Sequence, residues 1–326
     1  MTGQWVTPET RDAVTDFVRR WSLQSEIPAD QFVRWIGISS GKFHDWRARY
    51  GQGNEHNAWV PRDHWLMPEE REAMLTYHHD HRDEGYRRVT YMMRDADIVA
   101  VSPATTYRVL KDAGVLRAWN RTPSTKGQGS QQPLAPHEHW HIDIAHLRIA
   151  GTFFFLCSVL DGCSRFIVHW ELRAPMTEPD VELTIQRAKE KYPMARPRII
   201  SDNGPQFIAK DFKEFIRLSE MTHVRTSPYY PQSNGKLERW HHSFKSEGFR
   251  PGVPLTLDDG LRVAARYITY CNTERLHSAI GYVTPQTRLE GRQQQLFDAR
   301  DEKLEAARAR RATLRHQHPN PLHATT

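Results

Sequence analysis

Residues 120–137 separate two stretches of different hydrophobic period, and this change limits the possible folds of the 326-residue chain more than any other property. The stretch from Arg121 to Pro136, RTPSTKGQGSQQPLAP, is polar and rich in Gly, Pro, Ser and Gln, the composition of a linker with almost nothing apolar to bury. Before it the apolar residues recur with helical spacing, and after it they alternate as in half-buried strands. No period of 20 to 50 residues repeats, which sets solenoids and propellers aside. The expected organisation is a helical N-terminal module over 1–54, a second over 55–119, a linker at 120–136, an α/β core over 137–290 and a basic C-terminal helix or tail over 291–326.

In the second module, Val89, Met92 and Met93 share one helical face after Gly85-Tyr86-Arg87-Arg88. A further helix opens with Ser102 as N-cap and Pro103 at the first helical position, and Gly114 closes it. Two short helices joined by a tight segment make a helix-turn-helix, whose second helix carries its N-terminal residues into the major groove. That helix would present Thr105, Thr106, Arg108 and Lys111 to DNA, with Arg87 and Arg88 on the helix before it. Nine basic and five acidic residues lie between Arg82 and Lys126, a local excess of four out of a net charge of +6 for the chain. An ordinary helical hairpin with a solvated charged face fits the pattern equally well. A similar arrangement, with Phe32, Val33 and Ile36 before Gly37 and Phe43 and Trp46 after it, occurs in the first module.

After the linker, Trp140, Ile142 and Ile144 alternate with His139, His141 and Asp143, which places Asp143 in the middle of a strand on its open face. The runs from Phe153 to Leu160 and from Phe166 to Leu172, joined by a turn at Asp161-Gly162, complete an antiparallel meander. A helix capped by Thr177 follows, then a short strand ending at Ser201, so that Asp202 stands at the rim where open α/β sheets bind ligands. A Pro- and Gly-punctuated loop from Ser227 to Gly235 leads into a helix whose first turn carries Glu238. Carboxylates from a central strand, a strand end and a helix start can converge on hard cations such as Mg²⁺. Two such ions about 3.5 to 4 Å apart clamp an in-line displacement at phosphorus. Taken alone, Asp202-Asn203-Gly204 reads first as a turn, and only its combination with the other two carboxylates favours a site.

The pI near 9.2 points to a polyanionic partner, nucleic acid first among them. Three cysteines without a C-x-x-C pair argue against a disulfide framework or a cysteine-built zinc site. The longest apolar run is far short of the roughly 20 residues that cross a bilayer. The first residues show no apolar segment ending in a cleavage site, so a cytoplasmic protein without a membrane partner is expected.

The segments HWHIDIAHLRI, SDNGPQF and SPYYPQSNGKLERWHHSFKSE resemble the integrase core of retroviral-integrase-like DDE transposases. Fifty-eight residues separate Asp143 from Asp202 and 35 separate Asp202 from Glu238, the D-D-35-E spacing of that family. The run from Tyr270 to Pro285, YCNTERLHSAIGYVTP, is similar to the end of such cores in bacterial insertion-sequence transposases of the OrfB type, and the Gly85 to Leu116 motifs resemble the helix-turn-helix that precedes them. Ala145 departs from the family, many of whose members have Thr there, and the first 80 or so residues match less well.

The resemblance implies an RNase H-like integrase catalytic core preceded by all-α helix-turn-helix modules. It implies Asp143, Asp202 and Glu238 as the catalytic, metal-binding triad, with two Mg²⁺ ions per site and Mn²⁺ as a substitute. The implied activity is a DNA transposase that binds insertion-sequence ends, cleaves to expose a 3′-OH and joins it to target DNA. A homo-oligomer, at least a dimer, and a small partner protein from an upstream reading frame are implied as well.

Lys236 and Arg239 flank Glu238 and are candidates for holding phosphates, while Asn234 shapes the loop before them. Tyr229 and Tyr230 are placed to stack on splayed bases or to pack in the core. Glu247 competes with Glu238 but lies nine residues further on, roughly 13 Å along a helix axis. The tail arginines Arg308, Arg310, Arg311 and Arg315 suggest a helix that tracks DNA, meets another subunit or is simply solvated. Two rivals stay open: a nuclease of the same fold that cuts without joining, and a DNA-binding regulator with an unused core.

Overall fold

In a computed structural model of the chain, residues 6–53, 65–116, 132–225 and 235–317 are described. They fall into two compact units, Met1–Trp65 and Leu66–Thr326. The first is a three-helix module, α1 (Pro8–Ser25), α2 (Ala29–Ile36) and α3 (Ser40–Ala48), around Val18, Val33, Ile38, Phe43 and Trp46. Gly37 ends α2 with φ of 76°, a left-handed conformation that glycine adopts without steric cost.

The second unit begins with α4 (Pro68–Asp80), α5 (Tyr86–Asp95) and α6 (Pro103–Asp112), packed around Met74, Val89, Met93, Val99, Val101 and Val109. The Ser102 hydroxyl accepts from Thr105 N at 3.2 Å, Pro103 occupies the first turn, and Gly114 follows α6 with φ of 71°. The caps expected for this helix are therefore present. The linker proposed at 120–136 falls largely outside the described residues.

The core is built on β1 (His139–Ile149), β2 (Thr152–Asp161), β3 (Ile167–Arg173), β4 (Arg198–Ser201) and β5 (Thr222–Arg225) in the order β3-β2-β1-β4-β5. The first three form the expected antiparallel meander, and β4 and β5 extend it in parallel. Alternation along β1 sends Trp140 and Ile142 to one face, where they meet α7 (Glu178–Lys191), the short α8 (Pro205–Ile208) and α9 (Lys210–Leu218). Ala145, Leu147 and Ile149 go to the other face. There they meet α10 (Gly235–Ser243), a π-helical turn at Phe244–Phe249, the three-residue α11 (Arg250–Gly252) and α12 (Leu257–Thr273). This mixed sheet with helices on both faces is the RNase H-like α/β architecture.

The face that carries Asp143 is less open than its sequence pattern suggests, because α10 and α12 cover it. His141, which the alternation puts on the same face as Asp143, is buried.

After α13 (Pro285–Leu289), the long α14 (Gln293–Gln317) returns to the α4–α6 module. Arg311 donates to both oxygens of Glu70 at 2.8 and 3.0 Å and to Ala100 O at 2.8 Å, and Arg310 reaches Glu70 at 3.1 Å. Arg300 holds Asp95 through two hydrogen bonds, and Lys303 pairs with Asp97 at 2.7 Å. The tail arginines expected to face DNA or solvent are thus partly spent inside the molecule, where acidic residues of the helical module compensate them. Tyr91 stacked on Tyr282 at 4.8 Å, Arg88 on Leu276 O and Tyr270 on Glu84 tie the module to the core.

Among the described residues, no helix is long and apolar enough to cross a membrane.

Candidate active site

Asp143 leaves the middle of β1, directly opposite Ser158 of β2. Its Oδ1 accepts from Ile144 N at 2.9 Å, and its Oδ2 lies 3.4 Å from Nδ1 of His241, whose Nε2 lies 3.4 Å from the Ser158 hydroxyl. His241 is buried, so it braces the carboxylate from the helix side. Glu238 stands one turn earlier on α10, and it lines a cavity of about 440 Å³ with Asp143, His241, His242 and Lys245. Burial raises the Glu238 pKa above the ordinary carboxylate value, and the negative charges of Asp143 and Asp202 raise it further against the opposing effect of His241.

Asp202 follows β4 and forms the turn that its sequence suggested, with Oδ1 accepting from Gly204 N at 3.0 Å. It contributes charge to the site from the rim, without lining the cavity. Among the described residues, no three His, Cys, Asp or Glu side chains are drawn together closely enough to hold a metal ion as they stand. The arrangement is an open one: two carboxylates share a cavity and a third stands beside it.

Glu247 is engaged elsewhere, accepting from the Tyr267 hydroxyl at 3.0 Å and from Arg275 at 2.8 Å. The π-helical turn after Ser243 also breaks the regular helix on which it was expected. Asp161 is buried within the β2–β3 turn, where its Oδ1 accepts from the amide and hydroxyl of Ser164.

Residues 133–231 match the integrase core domain family, and residues 219–285 match a second family of the same description. An uncharacterised 39.2 kDa protein of insertion element IS476 from Xanthomonas euvesicatoria is 25% identical over 63% of this chain and 60% of its own. The transposase of insertion sequence element IS904 from Lactococcus lactis is 24% identical over 46% of this chain and 60% of its own. The α/β core, residues 133–285, thus belongs to the integrase core family. These bacterial relatives support a place among its insertion-sequence transposases.

The same integrase core is similar to the Pol-related polyprotein of a mouse intracisternal A-particle, 30% identical over 35% of this chain and 13% of that one. The chain spans less than two thirds of the length of each of these relatives. Among solved structures, the HTLV-2 integrase catalytic core in complex with magnesium is 19% identical, with a TM-score of 0.40 over 48% of this chain and 97% of that chain.

Outside the integrase core, the helical module requires two corrections. Thr106 cannot touch a base as the structure stands, because it is fully buried with its hydroxyl 2.8 Å from that of Thr90. Its spacing from Val109 and Leu110 puts it on the inner face of α6. Arg88 is also turned inward, donating to Leu276 O and paired with Glu84. Arg87, Arg108 and Lys111 are exposed, Thr105 is partly so, and Tyr107 is exposed between them.

In the core, Arg239 is exposed and Lys236 partly buried, donating to Gly162 O at 3.1 Å. Burial, then the charge of Arg165, brings the Lys236 pKa down to about 8. Asn234, Tyr229 and Tyr230 lie outside the described residues.

Sequence reasoning missed His241 and Lys245. Both were within reach of it, since they follow Glu238 by three and seven residues and so share its helical face.

Proposed function

We propose that the chain is a DNA transposase that cuts at insertion-sequence ends to expose a 3′-OH and joins that end to target DNA. The observation that carries this reading is the meeting of Asp143 and Glu238 in one cavity, with Asp202 close enough to raise Glu238. Surplus negative charge of this kind suits an oxygen-seeking divalent cation, and the donors are carboxylate oxygens, the ligands that Mg²⁺ or Mn²⁺ takes. Asp143, Asp202 and Glu238 would hold it. Two bound Mg²⁺ ions would supply Lewis-acid stabilisation of the attacking and leaving oxygens of phosphoryl transfer.

The chain's own side chains set the geometry of that reaction. His241 holds Oδ2 of Asp143 from the helix side, while the bond from Ile144 N holds Oδ1. Lys245, on the cavity wall, offers a cation to a non-bridging phosphate oxygen as charge develops there. The exposed Arg87, Arg108 and Lys111 and the half-buried Thr105 would grip the DNA end through α5 and α6, and Lys236 and Arg239 would contact it nearer the cavity. Joining two ends to one target requires at least two copies of the chain, and a small upstream-frame partner would act with them. The division into modules at 1–54 and 55–119, a linker at 120–136, a core at 137–290 and a tail at 291–326 belongs to the same proposal.

The test is strand transfer of labelled insertion-sequence ends in Mg²⁺ by the native chain and by Asp143→Asn, Asp202→Asn and Glu238→Gln. Joining by the native chain, with all three variants binding DNA but neither cutting nor joining, is the expected result. Cutting without joining would assign a nuclease, and binding without either would assign a regulator.

A further inference from the structure

The turn between β2 and β3 half-buries a cation, Arg165, that has no ion pair among the described residues. Arg165 has φ of 68°, a left-handed conformation in which Gly or Asn is at ease and a long side chain is not. Its Nε and Nη1 are sealed from solvent and meet no acceptor among the described residues. The nearest natural partner, Asp161, is already committed: Oδ1 to Ser164 and Oδ2 to His137 N at 2.6 Å.

More positive charge surrounds the same turn. Lys236 donates to Gly162 O, and Nη2 of Arg288 lies 3.8 Å from the Cys163 sulfur. The strain of the backbone and the desolvation of the guanidinium are both unfavourable, and neither supports the turn, whose hydrogen bonds run through Asp161 and Ser164. The side chain is only half-buried, so an anion supplied from outside can approach it and would offset both.

We propose that Arg165, with Lys236 beside it, is a phosphate site for the DNA strand that leads into the Asp143–Glu238 cavity. The position suits that strand. Asp143 pairs with Ser158, three residues before Asp161, so the turn lies roughly 10 Å from the carboxylates along β2, the span of a few backbone phosphates. Lys236 precedes Glu238 by two residues and so joins the two places through α10. His277 nearby has its pKa lowered first by burial and then by the charge of Arg165, which agrees with the geometry of an unpaired guanidinium at this point. The site deepens the DNA-processing reading above and rests on it.

The test uses the full chain and a fluorescent mixed-sequence DNA duplex, with affinity measured by anisotropy over a series of salt concentrations and stability by thermal melting. Arg165→Asn suits the left-handed backbone, so it is expected to melt no lower than the native chain. Its affinity should nevertheless fall several-fold and its salt slope by about one, the share of one lost phosphate contact. Arg165→Lys should keep the native slope. A native slope and affinity in Arg165→Asn, beside a reduced slope in Arg108→Gln, would overturn the Arg165 site and leave the wider reading standing. Failure of the native chain to bind duplex at all would overturn both.

Discussion

Arg311 grips Glu70 through two hydrogen bonds across 241 positions of sequence, and both side chains are almost wholly removed from solvent. Breaking a buried pair from one side leaves the other charge uncompensated, whereas replacing both partners with apolar residues of similar size does not. Glu70→Ala is therefore expected to destabilise the chain by about 3 to 5 kcal/mol in urea denaturation. Glu70→Leu combined with Arg311→Met should recover most of that loss.

The same pair predicts a pH response. Burial pushes the Glu70 carboxyl up, but the hydrogen bonds from Arg311 and Met67 N together hold it below its ordinary value. A carboxyl lowered in the folded state stabilises that state above its unfolded pKa, and the benefit fades as pH falls through the folded value. Acid unfolding of the native chain should therefore show a stability decline below about pH 4.5 that is shallower in Glu70→Gln.

Thr106 and Arg108 lie two residues apart on α6 but on opposite sides of it. Thr106→Val removes a buried hydroxyl from the pair with Thr90 and should cost about 1 kcal/mol of stability without changing the salt dependence of DNA binding. Arg108→Gln should do the reverse, reducing the salt slope by about one and leaving the urea midpoint in place.

Glu238 stands among like charges, so removing its charge relieves repulsion. Glu238→Gln is expected to melt at or above the native temperature without added metal. Mg²⁺ should then raise the melting temperature of the native chain, reversibly with EDTA, and do so much less for Glu238→Gln or Asp143→Asn. An equal shift in all three proteins would place the ion elsewhere.

Gly260 lets α12 approach the sheet. A Cβ at this position would stand 2.7 Å from Cδ1 of Ile149 and 3.2 Å from Cδ2 of Leu172. The helix-propensity gain of Gly260→Ala is outweighed by overpacking, with an expected net loss of about 1 to 2 kcal/mol by thermal or urea unfolding.

Much of this protein was legible in local pattern. The alternation of β1 and the Ser102-Pro103 start and Gly114 stop of α6 are short-range signals, because strand period and helix capping depend on residues only a few positions apart. The positions of Asp143, Asp202 and Glu238 on a strand, a strand end and a helix start followed from the same signals.

Tertiary structure alone decided which of these residues face one another. The seating of α10 on β1 brings His241 to Asp143, and the fold of α5 against α6 turns Thr106 inward. The return of α14 converts arginines that read as a solvent-facing basic tail into partners for Glu70 and Asp95. The turn after β2 keeps Nε and Nη1 of Arg165 from any acceptor among the described residues. Helical and strand periods assign each side chain to a face of its own element. What covers that face, and whether a charge there meets its opposite, depends on the packing of segments up to 241 residues apart.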